Sequence, residues 1–145
     1  MQNRKVVVIL IALIVLTSLI KLNPLTKSAQ VNKEFIVDRS ENMNISPFST
    51  IKEYIVNVDR YNTNIILKFF AINLILYLPV AFFLGLKDFD KLISILIIVL
   101  LPIVLDILQI VFRIGSFDID SIILNVLSSL IIFGIARKVS RIAST

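Results

Sequence analysis

The side chains able to do chemistry crowd into one stretch, "RIGSFDIDSIILN", Arg113 to Asn125, set between two long apolar runs. An arginine there can hold a phosphate or carboxylate through two parallel hydrogen bonds. Asp118 and Asp120, with Asp106 just upstream, have the oxygen chemistry that holds Mg2+. Gln109, Asn125 and, further off, Asn73 add amides that can orient a polar ligand. Other chemistries are excluded outright. The chain has no cysteine and no histidine. Disulfides, thiolates, the usual zinc sites and an imidazole base are therefore absent. No hydroxyl stands out as an activated nucleophile.

These groups must be positioned by elements built for lipid. The 145-residue chain is 57% hydrophobic and carries a net charge of +5. Its mean hydropathy is +0.93. Soluble domains sit nearer ~45–50% apolar, so this is a membrane composition. Four runs approach the ~20 residues a span needs: Val6 to Ile20, Ile65 to Leu86, Leu92 to Phe112 and Ile119 to Ala136. The first is short, and Arg4, Lys5 and Lys21 are expected to snorkel from its ends. It also has the basic start and apolar middle of a signal peptide, but "KLNPLTKSAQ" offers no clean cleavage site. The expected fold is all-α, an integral membrane bundle of four transmembrane helices.

Basic residues flank the runs, which suits anionic headgroups; nothing resembles a stripe or stacking platform for nucleic acid. Arg4 and Lys5, Lys87 and Lys91, and Arg137, Lys138 and Arg141 all fall on one side if every run crosses. The positive-inside rule then places both termini in the cytoplasm of a multi-pass plasma-membrane protein. The long loop from Lys21 to Asn64 mixes six basic with five acidic residues and faces outward. Its first part, Lys27 to Asn44, reads as a polar, extended linker. "NISPFSTIKEYIVNV" follows, where Pro47 sets a turn and Ser49 or Thr50 can cap a helix. Ile51, Tyr54, Ile55 and Val58 recur at helical spacing, giving a short amphipathic helix in this loop.

Depth brings the polar groups together. Asp106 lies about 9 Å below the outer end of its span, and Asn125 about 9 Å below the start of the fourth, at 1.5 Å per residue. Asn73 lies about 12 Å into the second. Asp106, Gln109 and Arg113 share one helix face, and so do Asp118, Ser121, Asn125, Ser128 and Ser129. Asn73 and Tyr77 share a third, with Lys68 nearly opposite. Lipid penalises such stripes, so they are expected to turn inward and meet. Arg113 is the expected partner of Asp106. Bland roles stand beside this one: Asp118 as an N-cap, Asp120 as a first-turn acid, Asn73 and Asn125 as helix glue. Pro79 and Pro102 are each expected to kink their helix.

From about Asn44 to Arg137 these residues resemble the VanZ-like membrane proteins. The matching pieces are "NISPFSTI", "INLILYLPVAFFLG" and "LDILQIVFRIGSFDIDSIILN". Carried over by position, the family's polar signature falls on Asn44, Pro47, Phe48, Asn73, Pro79, Gly85, Asp106, Gln109, Arg113, Asp118, Asp120 and Asn125. Asp106 departs from the family's commoner Glu, and Ser128 from its usual Gly. The resemblance implies residues 1–22 as an N-terminal transmembrane anchor and 23–43 as an extracellular linker. Residues 44–138 then form a VanZ-like domain with three spans, and 139–145 a cytoplasmic tail. It also implies a cell-envelope protein associated with resistance to the glycopeptide antibiotic teicoplanin.

The functional expectation is a binding protein, not an enzyme. Its ligand set is Asn44, Asn73, Asp106, Gln109, Arg113, Asp118, Asp120 and Asn125, with no metal and no cofactor. The partner is a membrane lipid, a lipid-linked wall component or a lipoglycopeptide. One alternative is a metal-dependent phosphoryl or headgroup transferase using Asp106, Asp118 and Asp120. Another is a structural membrane subunit in which the polar layer only joins helices.

Overall fold

The computed structural model describes residues 2–23, 43–87 and 89–143. Helix α1 spans Gln2–Leu22. A two-residue strand β1, Met43–Asn44, precedes α2, Ser49–Val56. After a 3-10 turn come α3, Thr63–Ile75, and α4, Leu78–Leu86. Helix α5, Lys91–Val111, leads through β2, Phe117–Asp118, into α6, Ile119–Ala143. Four helical segments are long and apolar enough to cross a membrane: Arg4–Leu22, Thr63–Leu86, Lys91–Val111 and Ile119–Ala143. The architecture is an all-α membrane bundle, as expected. The predicted linker, from 24 to 42, lies outside the described residues. The predicted tail is helical as far as Ala143, because α6 continues unbroken.

The two prolines behave differently. Pro79 lies in the first turn of α4, where a missing N–H is tolerated. The second span accordingly divides at Leu76–Tyr77 into α3 and α4. Pro102 is buried inside α5, which runs through it without interruption, so the expected second break is not there.

Leu10, Val80, Ala81, Leu84, Ile98 and Phe133 form the buried apolar centre. Large apolar residues such as Val8, Leu100 and Ile131 are exposed, as suits lipid-facing surfaces. The closest helix contact joins α4 to α6. A Cβ on Gly85 would lie 2.7 Å from both the Ala136 Cβ and the Phe133 carbonyl oxygen. Only a glycine permits that approach. Helix α1 is the loosest member, with 11% of its span buried against 39%, 33% and 39% for the others.

The ends of α1 and α5 and the start of α6 gather at one end of the bundle, called below the loop face. There β1 pairs in parallel with β2, Met43 opposite Phe117 and Asn44 opposite Asp118. Helix α2 lies over this end. Tyr54 is buried, with its ring 5.1 Å from those of Tyr61 and Phe69. The remaining predicted apolar face is only partly used: Ile55 is 65% exposed and Val58 47%.

Candidate functional site

Two polar groupings occupy the loop-face half of the molecule. The deeper one joins α1, α3, α5 and α6. Asp106 is 1% exposed, and its Oδ1 lies 3.0 Å from the Lys21 ammonium. That ammonium also donates to Ser121 Oγ at 3.3 Å. Ser121 Oγ donates in turn to Asn73 Oδ1 at 2.7 Å. Asn125 Nδ2 donates to the same Asn73 oxygen at 3.3 Å and to Ser121 Oγ at 3.4 Å. Asn73 Nδ2 closes the set by donating to the Phe69 carbonyl of its own helix at 2.9 Å. Gln109 Nε2 donates to the Lys21 carbonyl at 2.7 Å, satisfying an acceptor that the end of α1 leaves open. Asp106, Gln109, Asn73 and Asn125 thus lie in one connected layer, with helical spacing turning each of them inward.

Lys21 is the cation of that layer. It was expected to snorkel, yet its side chain is 10% exposed and points into the bundle. The buried carboxylate explains the turn, since an ionised acid at this depth demands an opposite charge. A lone cation in the last turn of the first run was the available sequence signal. Arg113 is not the partner of Asp106. It sits just beyond α5 with φ 54°, in the left-handed region. The Ile114 amide bonds back to the Gln109 carbonyl at 2.9 Å and the Arg113 amide to Ile110 at 3.0 Å, a Schellman end. The helix has therefore stopped before Arg113, and the helical face that predicted the pairing has stopped with it. Arg113 is exposed, and no partner holds its guanidinium among the described residues.

Three buried polar atoms of this region lack a partner: Tyr77 Oη, Asn125 Oδ1 and Ser129 Oγ. All three residues are nine-tenths buried or more. Native proteins leave few such atoms unpaired, and each one signals an acceptor or donor waiting for water or ligand.

The shallower grouping is a clasp between the long loop and α6. Asp118 accepts from the Asp120 amide at 3.0 Å, which makes it the N-cap of α6. It also accepts from Asn44 Nδ2 at 3.1 Å. Burial pushes the Asp118 carboxyl above the usual carboxylate range, against hydrogen bonds from Thr50, the Asp120 amide and Asn44. Asn44 ties the loop further, donating to Thr50 Oγ1 at 2.8 Å and accepting from Ser49 Oγ at 2.8 Å.

Asp120 does something its position in the sequence does not announce. Its Oδ1 accepts from the Phe48 amide, and its Oδ2 from those of Thr50 at 2.7 Å and Ile51 at 3.1 Å. It caps α2 from a different helix, because Phe48 holds the N-cap position and offers no side-chain acceptor. Ser49 and Thr50 do not supply the cap. The acid also meets the positive end of the α2 dipole. Among the described residues no three acidic side chains gather at a point that would hold a metal ion.

One family model matches the chain, that of VanZ/LLP1, over residues 6–141. No curated protein and no solved structure matches.

Proposed function

The chain belongs to the VanZ/LLP1 family, and on that premise we propose that it is a cell-envelope protein which holds a polar headgroup in the loop-face leaflet. The ligand class is a membrane lipid, a lipid-linked wall precursor or a lipoglycopeptide of the teicoplanin type. Capturing such a group accounts for a contribution to resistance. The observation that carries the reading is the buried layer itself. It combines an internal ion pair with three polar atoms that have no partner, at a depth where each unpaired group is expensive. Arg113, exposed at the rim, supplies a bidentate contact to phosphate or carboxylate. The clasp through Asn44, Asp118 and Asp120 seats α2 as a cover.

Mass spectrometry of copurifying lipids tests this. A species retained by the wild type and lost from Asp106→Asn is expected, with both proteins at equal membrane abundance. In cells, raised tolerance of teicoplanin should fall with Asp106→Asn and with Arg113→Leu. Identical lipids in both preparations would remove the case for binding. The loop face is proposed to be the cell exterior, with both termini cytoplasmic. Ser116→Cys should then react with an impermeant thiol reagent in intact cells, and Lys87→Cys should not.

A second reading, a structural subunit whose polar layer only joins helices, is favoured by the closed Lys21–Asp106 pair. Asp106→Asn separates the two, since loss of function in a normally inserted protein excludes glue as the role.

A further inference from the structure

Resting on the headgroup reading, we propose that the buried layer is a receptor for a primary ammonium group, and that Lys21 occupies it as a tethered stand-in for the ligand. The bound group on the page is an ammonium. It is held by a carboxylate 1% exposed and a hydroxyl 2% exposed, at 3.0 and 3.3 Å. An ammonium has three N–H donors, and these two contacts use two of them. Asn125 Oδ1 is buried and unpartnered, and the amide that bears it donates to the same Ser121 hydroxyl. It offers the third acceptor that the reach of Lys21 leaves unused. The Tyr77 hydroxyl is a further buried, unpartnered polar atom, and it lies within electrostatic range of Asp106.

The occupant arrives on the element best able to leave. Helix α1 buries the smallest share of its span. Apolar packing between helices gains little in lipid, so polar contacts at Lys21 carry much of the hold at this end. When Lys21 withdraws to the membrane surface, Asp106 cannot remain a bare anion at that depth. The replacement must therefore bring a positive charge, and to match the cage it must bring N–H donors. An amine-bearing headgroup such as that of phosphatidylethanolamine does so. Phosphatidylglycerol has no cation, and phosphatidylcholine has a cation without N–H donors.

The experiment is native mass spectrometry of the full chain released from nanodiscs containing equal parts of these three lipids. The wild type should retain phosphatidylethanolamine over the other two. Lys21→Met, which empties the cage, should retain about tenfold more of it, in line with one charge-assisted hydrogen-bonded site becoming available. Adding Asp106→Asn to Lys21→Met should abolish that gain. Soluble ethanolamine phosphate separates the sources: displacement of the lipid at millimolar concentration means the headgroup alone is read, and failure to displace means the acyl chains contribute. Either result keeps the ammonium cage.

Retention of phosphatidylglycerol that depends on Asp106, with no preference for the amine, would overturn the ammonium assignment and leave headgroup binding standing. Retention of no lipid in an Asp106-dependent way would overturn both. If Lys21→Met does not fold, the three-lipid preference of the wild type decides alone, and equal retention of phosphatidylcholine and phosphatidylethanolamine sinks the proposal.

Discussion

In the clasp, carboxylates bond mainly to backbone; in the layer beneath it, side chains bond to side chains. Both regions are built from aspartate and asparagine. Asp120 accepts from three main-chain amides of one helix end, and both its oxygens are used. Asp106 faces a lysine ammonium from another span, among neighbours that retain unpaired atoms. Backbone amides cannot be exchanged for a ligand without unravelling a helix terminus. A side chain on a flexible stem can step aside. The same residue types therefore make a fixture in one place and an exchangeable contact in the other.

The largest expected effect comes from breaking the exchangeable contact crudely. Asp106→Leu strands a cation below the surface and should cost about 3 kcal/mol, as removing one member of a buried pair does. Adding Lys21→Met should restore most of the loss in thermal unfolding of the detergent-solubilised protein. If the double variant is no better than the single, the pair is not the energetic link between α1 and α5. Next comes the fixture. Asp120→Ala orphans three amides and should destabilise by about 2 kcal/mol, with no second-site change of one side chain able to rescue it. Limited proteolysis should cut near Ser49 in this variant and leave the spans intact. Cutting at the wild-type rate would show that α2 is held by Tyr54 packing instead.

A smaller effect, of opposite sign, is expected at the rim. Arg113 adopts a left-handed conformation that glycine takes freely. Arg113→Gly should hold or raise thermal stability by up to about 1 kcal/mol while lowering headgroup retention. A stability loss would mean that the guanidinium supports the fold. Protonation should give the smallest change. An acid raised by burial, as Asp118 is, favours the folded state most when protonated. Its contribution should fade as pH rises from about 4 through its folded value. The clasp should accordingly resist proteolysis slightly better in mild acid, and Asp118→Asn should flatten that dependence.

Sequence periodicity located all four spans within a few residues, because runs of apolar residues at this length have few other uses. Depth along each helix also predicted correctly that Asp106, Asn73 and Asn125 would share a layer. Two things were hidden. Lys21 looked like an ordinary interfacial anchor, since a single chain gives no sign of which way a terminal lysine turns. Arg113 looked like a neighbour of Asp106 only while the helix was assumed to continue through it. The role of Asp120 was invisible for another reason: its partners lie some seventy positions away, and capping rules describe an acid's own helix.

The short parallel pairing of Met43–Asn44 with Phe117–Asp118 bears on how the molecule is made. A ribosome finishes the first segment long before it begins the second. During synthesis, the stretch around Pro47 must therefore wait undocked at the membrane surface until two further crossings have been threaded. Interrupting translation between Leu86 and Ile119 would leave it without a seat, and quality-control proteases would meet it there first.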